Sequence, residues 1–108
     1  MLGVYNTVYT MKIDLSLFKF DWDTGNTGKN KKHGVEDWEC EEVFFDQRKV
    51  ALKDKLHSGA ETRYITLGQT KQSRLLFLVY TTRAGRIRII SARDCKKNKE
   101  RDLYEKAT

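Results

Sequence analysis

The side chains best suited to chemistry in this sequence are arginines. Arg86 and Arg88 alternate with Ile87 and Ile89, the two-residue period that sends successive side chains to opposite faces of a strand. One face of that strand is therefore guanidinium-rich and the other apolar. Arg83 falls in the adjoining turn, Arg63 on a nearby strand and Arg93 at the strand end. Five arginines converging on one end of a sheet suit phosphate oxygens, because the planar guanidinium offers a fork of donors and stays charged at any working pH. An exposed sheet face with solvated charges fits the same residues. His33, after Lys31 and Lys32, and His57, in a polar loop before Glu61, are the two side chains whose ordinary pKa lies near neutrality, which makes both acid/base candidates. Tyr64, Tyr80 and Tyr104 are able to stack on a base or to fill the edge of a core. There is no HExxH or HxH, no GxSxG and no glycine-rich phosphate loop. Zinc-peptidase, serine-hydrolase and nucleotide-hydrolase chemistry therefore have no support. Cys40 and Cys95 form no CxxC pair, so neither a disulfide scaffold nor a four-cysteine zinc site is expected.

Positioning these groups requires a sheet. Phe18, Phe20 and Trp22 alternate with polar residues and predict a strand. Asp23 can cap a polar helix running to about His33, with Gly34 as its stop. Gly25 and Gly28 make that helix weak, each at about 1 kcal/mol against alanine. A second helix is expected over about Asp37–Phe45. From Lys49 the period becomes two: Val50–Leu52, Arg63–Leu67, Leu75–Thr81 and Arg86–Ser91 read as strands, the last two joined at Arg83-Ala84-Gly85. A final helix is expected over about Asp94–Lys106. The expected fold is α+β: a compact domain with an antiparallel sheet of about four to five strands, two N-terminal helices and one C-terminal helix.

The chain of 108 residues makes one domain of this kind. Residues 18–108 are assigned to it and residues 1–17 to an N-terminal extension, expected to be partly disordered. Lys and Arg number 21 against 15 Asp and Glu, a net charge of +6. Residues 83–108 carry most of that excess, which favours a polyanion or an acidic partner. The reverse holds from Val35 to Gln47, where Glu36, Asp37, Glu39, Glu41, Glu42 and Asp46 stand without one basic residue. No apolar run approaches 18 residues, so no membrane span is expected. The N-terminus does not read as a secretory signal, and the cytoplasm is the expected compartment.

An ordered set of strings resembles one family. It begins with Phe20-Asp21-Trp22-Asp23, Asn30, Lys32-His33-Gly34-Val35 and Glu42-Val43-Phe44-Phe45-Asp46. It continues with Asp54, His57-Ser58, Glu61, Arg63-Tyr64 and Leu67-Gly68. It closes with Leu76-Phe77, Val79-Tyr80-Thr81, Arg83, Ile87-Arg88-Ile89-Ile90-Ser91-Ala92-Arg93, Glu100 and Tyr104-Glu105. The pattern is similar to the BrnT-type toxins of bacterial type II toxin–antitoxin systems, in the RelE-like superfamily, and covers about Phe18 to Lys106. Thr24 and Gln47 stand where that family often has proline.

The resemblance implies a RelE-like ribonuclease that blocks translation when free, without a metal or other cofactor. It implies that a cognate BrnA-like antitoxin, itself a DNA-binding repressor, neutralises the toxin in a hetero-oligomer, and that the target is RNA, including ribosome-bound mRNA. The roles that follow are Arg63, Arg83, Arg88 and Arg93 around the scissile phosphate and His57 as base or acid. Lys32 and His33 would hold the RNA backbone or share the proton transfer, Arg86 would bind RNA, and Tyr80 or Tyr104 would stack on a base. A non-catalytic RNA- or protein-binding module would use the same basic face. A purely structural salt bridge is expected for at least one of the four arginines.

Overall fold

Apolar alternation from Val50 onward, together with the continuous apolar run 75–80, builds four strands in the computed structural model, which describes residues 19–54, 59–96 and 99–106. They are β1 (Val50–Asp54), β2 (Arg63–Gln69), β3 (Leu75–Arg83) and β4 (Arg86–Asp94). The strands form one antiparallel meander in the order β1-β2-β3-β4. Ala84 and Gly85, with φ of 50° and 75°, turn β3 into β4. Two successive residues at positive φ match the right-handed twist of the flanking strands.

The sheet is covered on both faces. On one, Leu76, Leu78, Ile87, Ile89 and Ala92 pack with Val35, Cys40, Val43 and Phe44, and with Phe20, Trp22 and Tyr80 at the margin. The helix on this face is α1 (Asp37–Phe44). Its approach to β2 requires a glycine: a Cβ on Gly68 would lie 2.8 Å from Val43 Cγ1. On the other face Val50, Leu52, Ile65, Leu67, Leu75 and Phe77 pack with Cys95 and with Tyr104 of α2 (Lys99–Lys106).

A bulge fixes which side chains share a face. Val79 pairs with Ser91 but Tyr80 with Ile89, leaving Ile90 as the extra residue. Ile87, Ile89 and Ala92 therefore all face α1, although strict alternation would turn Ala92 away. By the same step Arg93 joins Arg86 and Arg88 on the opposite face.

The N-terminal elements differ from expectation. The strand expected over residues 18–22 is an isolated parallel bridge of Phe20 to Ile87, held by Asp21 N–H to Ile87 O and Ile87 N–H to Lys19 O, both 2.8 Å. The sheet proper thus has four strands. The helix expected over Asp23–His33 is instead a run of turns followed by a 3₁₀ helix, Lys29–His33, so among the described residues two α-helices are present rather than three. Gly28 and Gly34 flank the 3₁₀ turn at φ of 69° and 72°. Glycine adopts this left-handed backbone with least cost, and Gly34 ends the helix as expected. The segment also has a use for its side chains that competes with helix. Buried Asn26 donates from Nδ2 to Asp21 O (2.9 Å) and Ile89 O (3.2 Å), and buried Asn30 Oδ1 accepts from Ala92 N–H (2.9 Å). The outer edge of β4 is completed by these two amides where the Phe20 bridge leaves off. The C-terminal helix begins later than expected, because Asp94 still belongs to β4 and Cys95 N–H bonds Leu75 O at 3.0 Å. Residues 1–18 and 55–58, with the expected N-terminal extension and His57, lie outside the described residues.

The acidic block is largely a set of struts. Glu39 Oε1 accepts from Glu36 N–H at the start of α1 (3.0 Å), and Asp37 accepts from Gly28 N–H. Glu41 accepts from Trp22 Nε1 at 2.7 Å and Glu42 from Lys71 N–H at 3.1 Å. Asp46 accepts from Arg48 N–H, Gln69 N–H and Tyr104 Oη at 2.7 to 2.9 Å. Glu39 also meets Arg74. Arg74 in turn bonds Gly34 O at 2.7 Å and both carboxylate oxygens of Asp94. One guanidinium thus joins the 3₁₀ turn, α1 and the end of β4.

Candidate nucleic-acid interface

The arginines gather at the hairpin end of the sheet, on the face turned away from α1. Arg83 stands directly opposite Arg86, and Arg88 opposite Thr81. Arg63, one residue beyond the Tyr64–Tyr80 pair, falls in line with Thr81, and the Thr81 hydroxyl donates to Thr62 O at 2.8 Å beside it. Two like charges directly opposite one another oppose pairing, so the Arg83–Arg86 pair is a local cost in a sheet otherwise well satisfied. Such conflicts concentrate at functional sites. Arg86 is exposed and has no ion pair among the described residues.

Carboxylates lie among these cations. Arg83 Nε donates to Glu61 Oε2 at 2.8 Å. Arg88 Nη2 donates to Asp23 Oδ1 at 3.0 Å, and Arg88 Nη1 lies 3.6 Å from Asp21 Oδ2. The hydrogen bond from Arg83 holds the Glu61 carboxyl below its usual range, with Arg63 and Arg88 adding to the effect at longer reach. Arg88, and then the Gly25 amide, do the same for Asp23. Both arginines are pushed above their ordinary value in return, by Glu61 and Asp23 respectively. Glu61, Asp23, Arg83 and Arg88 are thus ionised near neutrality. Arg63, Arg83 and Arg88 bring positive charge from three strands to one face of the sheet, and such charge stabilises charge developing on phosphorus-bound oxygens.

The other candidate residues are placed elsewhere. Arg93 lies toward the far end of β4, stacked over the Phe77 ring at 4.1 Å and bidentate to Glu100 of α2 with both bonds 2.8 Å. It ties α2 to the sheet. Tyr104 is buried, with its hydroxyl on Asp46, so a base could stack on it only if α2 left the sheet. Tyr80 is on the α1 face, edge-on to Phe44 at 5.1 Å and stacked on Tyr64 at 5.4 Å, across the sheet from the arginines. Lys32 and His33 are exposed at the end of the 3₁₀ turn. That turn meets β4 at Ala92, away from the hairpin end. The structure therefore assembles Arg63, Arg83, Arg86 and Arg88 and separates them from Arg93, Tyr80, Tyr104, Lys32 and His33.

Two features of the site went unread in the sequence. Asp23 reads as a helix cap, yet it bonds Arg88, 65 positions away. Gly25 reads as a helix weakener, yet a Cβ there would fall 2.7 Å from Arg88 Nη2. The Asp21-Trp22-Asp23 alternation was the available signal, since it puts two carboxylates on the side of the segment opposite to Trp22.

Among the described residues no three His, Cys, Asp or Glu side chains gather as a metal-binding group. No helix among them is long and apolar enough to cross a membrane. A family model described as "Ribonuclease toxin, BrnT, of type II toxin-antitoxin system" matches residues 22–99, most of the chain and all of the arginine cluster. No curated protein matches the chain.

Proposed function

The chain belongs to the BrnT family of ribonuclease toxins of type II toxin–antitoxin systems, and from that premise we propose that it is a metal-independent endoribonuclease acting at the hairpin-end arginine face. The observation that carries this reading is the convergence of Arg63, Arg83 and Arg88 from three strands. In the proposed reaction the RNA's own 2′-oxygen attacks the adjacent phosphorus and the bond to the 5′-oxygen breaks. The products are a 2′,3′-cyclic phosphate and a 5′-hydroxyl end. The three arginines bind the non-bridging oxygens and take up the charge that grows on them, while Arg86 holds the neighbouring backbone.

Proton transfer to and from the two bridging oxygens calls for a group that titrates near neutrality. His57 is assigned that role. Asp54, three positions before His57 in the sequence, faces Arg63 in register. Arg93 and Tyr104 are left to hold α2. In the cell the protein would act in the cytoplasm and lower translation by cutting mRNA, free or ribosome-bound. A BrnA-like antitoxin would neutralise it within a hetero-oligomer.

The test is cleavage of end-labelled single-stranded RNA, with EDTA in excess, by the wild type, His57→Ala and Arg88→Gln. The expected result is product with a cyclic phosphate from the wild type and a loss of at least about a hundredfold in each variant. Folded protein that binds this RNA but leaves it intact, both alone and with ribosomes, would replace the enzyme by a binding module using the same face.

A further inference from the structure

In the Arg88 pair the carboxylate is freer to leave than the arginine, and in the Arg83 pair both side chains are open to water. The Arg88 side chain is 12% exposed, while its partner Asp23 is 56% exposed. Asp23 sits on a turn outside the sheet, with its Oδ1 shared between Arg88 and the Gly25 amide. The Nη1 of the same arginine is buried and has no hydrogen-bond acceptor. One arm of the fork is hydrogen-bonded, and the other faces Asp21 Oδ2 at 3.6 Å, an ion pair too long for a hydrogen bond. Glu61 lies just before β2, 40% exposed, on Arg83. Water reaches both carboxylates, so each can swing away without disturbing a strand. Arg83 is diagonal to Arg88 on this face, a Cα spacing of about 7–8 Å. Two successive phosphates of an extended single strand can bridge such a spacing.

A carboxylate and a phosphodiester offer a guanidinium the same charge and the same pair of oxygens. We propose that Asp23 and Glu61 are built-in stand-ins for RNA phosphates, occupying Arg88 and Arg83 in the free protein and displaced when an RNA strand binds. This inference rests on the arginine face being the RNA site. The carboxylates hold the guanidinium groups oriented in the absence of RNA, and they set the affinity by competing for them. RNA phosphates then take the place of Asp23 on Arg88 Nη2 and of Glu61 on Arg83.

The experiment measures binding of a 2′-O-methyl oligonucleotide, which cannot be cleaved by its own 2′-oxygen, by fluorescence anisotropy at low salt. Asp23→Asn and Glu61→Gln are each expected to tighten binding by about two- to fivefold, the range of an exposed ion pair released. Asp102→Asn, an exposed acid on α2, is the control for net charge and should change binding less. In parallel, the side-chain carboxyl ¹³C resonances of the unaltered protein are followed as the oligonucleotide is added. Those of Asp23 and Glu61 should move and that of Asp46 should stay. If Arg88→Gln weakens binding but neither carboxylate variant tightens it, or the two resonances do not move, the stand-in role is overturned and the RNA site stands. If Asp102→Asn tightens binding as much as the other two, net charge explains the gain and the stand-in role falls. If Arg88→Gln leaves binding unchanged, the site itself is misplaced and the inference fails with it.

Discussion

The Tyr104 hydroxyl donates to Asp46 Oδ2 at 2.7 Å, and the same oxygen accepts Gln69 N–H at 2.8 Å. One carboxylate atom thus joins the last helix, the end of β2 and the segment that follows α1. Burial, and then the Asp46 charge, hold the Tyr104 hydroxyl above its ordinary pKa. Tyr104→Phe keeps the ring and removes this bond. Asp46 retains two amide donors, so the loss is expected near 1 kcal/mol, read as a lower urea midpoint with an unchanged slope. The sign for pH follows from the raised pKa: the contribution is complete below the ordinary tyrosine value and fades as pH rises toward the folded value. The destabilisation caused by Tyr104→Phe should therefore shrink above about pH 10.

Asn30 is 3% exposed and its Oδ1 is the acceptor for Ala92 N–H. Asn30→Ala leaves that amide buried without a partner. The expected cost is about 1–3 kcal/mol, and hydrogen exchange at Ala92 should accelerate more than exchange at the amides of β2. Equal acceleration throughout would show that the variant loosens the whole domain and not this edge.

Arg93 and Glu100 form a two-bond pair in which both side chains are mostly shielded. Arg93→Lys keeps the charge but loses the fork and the stacking on Phe77. It should lower the thermal midpoint, while oligonucleotide affinity per folded molecule stays within about twofold of wild type, as for sites that do not couple. A tenfold loss of affinity in a folded variant would return Arg93 to the RNA-binding group.

Burial, aided by neighbouring Asp37 for Cys40 and Glu100 for Cys95, pushes both thiols up to about 12. The thiolate is the reactive form, so neither cysteine should react with an aromatic disulfide reagent at pH 8 over minutes, and both should react at once in denaturant. Each raised pKa also means that the unfolded chain gives up its proton first. Stability should therefore fall as pH rises above about 8.5, the ordinary thiol value, and continue to fall toward 12.

Strands were legible because their signal is local. Leu75–Thr81 declares itself by a continuous apolar run and Arg86–Ser91 by one buried face, and the turn between them needs only Ala84 and Gly85. The alternation at Arg86 and Arg88 likewise placed the heart of the candidate site. What stayed hidden depends on partners far along the chain. Asn26 and Asn30 look like loop residues until β4 is beside them, 62 or 63 positions on. The Ile90 bulge leaves no mark in composition, yet it decides that Arg93 shares a face with Arg88. Tyr104 reads equally as a stacking platform or a core residue, and only the carboxylate at position 46 separates the two. The capping signals at Asp23 and Gly34 predicted the Asp23–His33 helix against its weak propensity, and side-chain demands from the sheet edge overrode them.

Asn26 and Asn30 cap the outer edge of β4 from the segment before α1. An unpaired strand edge is a template on which another chain can grow a sheet. Here two of the backbone groups that such a chain would use are already bonded to side-chain amides, and the Phe20 segment holds the groups beside them. A second molecule would have to break buried bonds before it could add a strand there. The sheet is therefore sealed on its β4 side against domain swapping and fibril-like stacking, even though it never closes into a barrel.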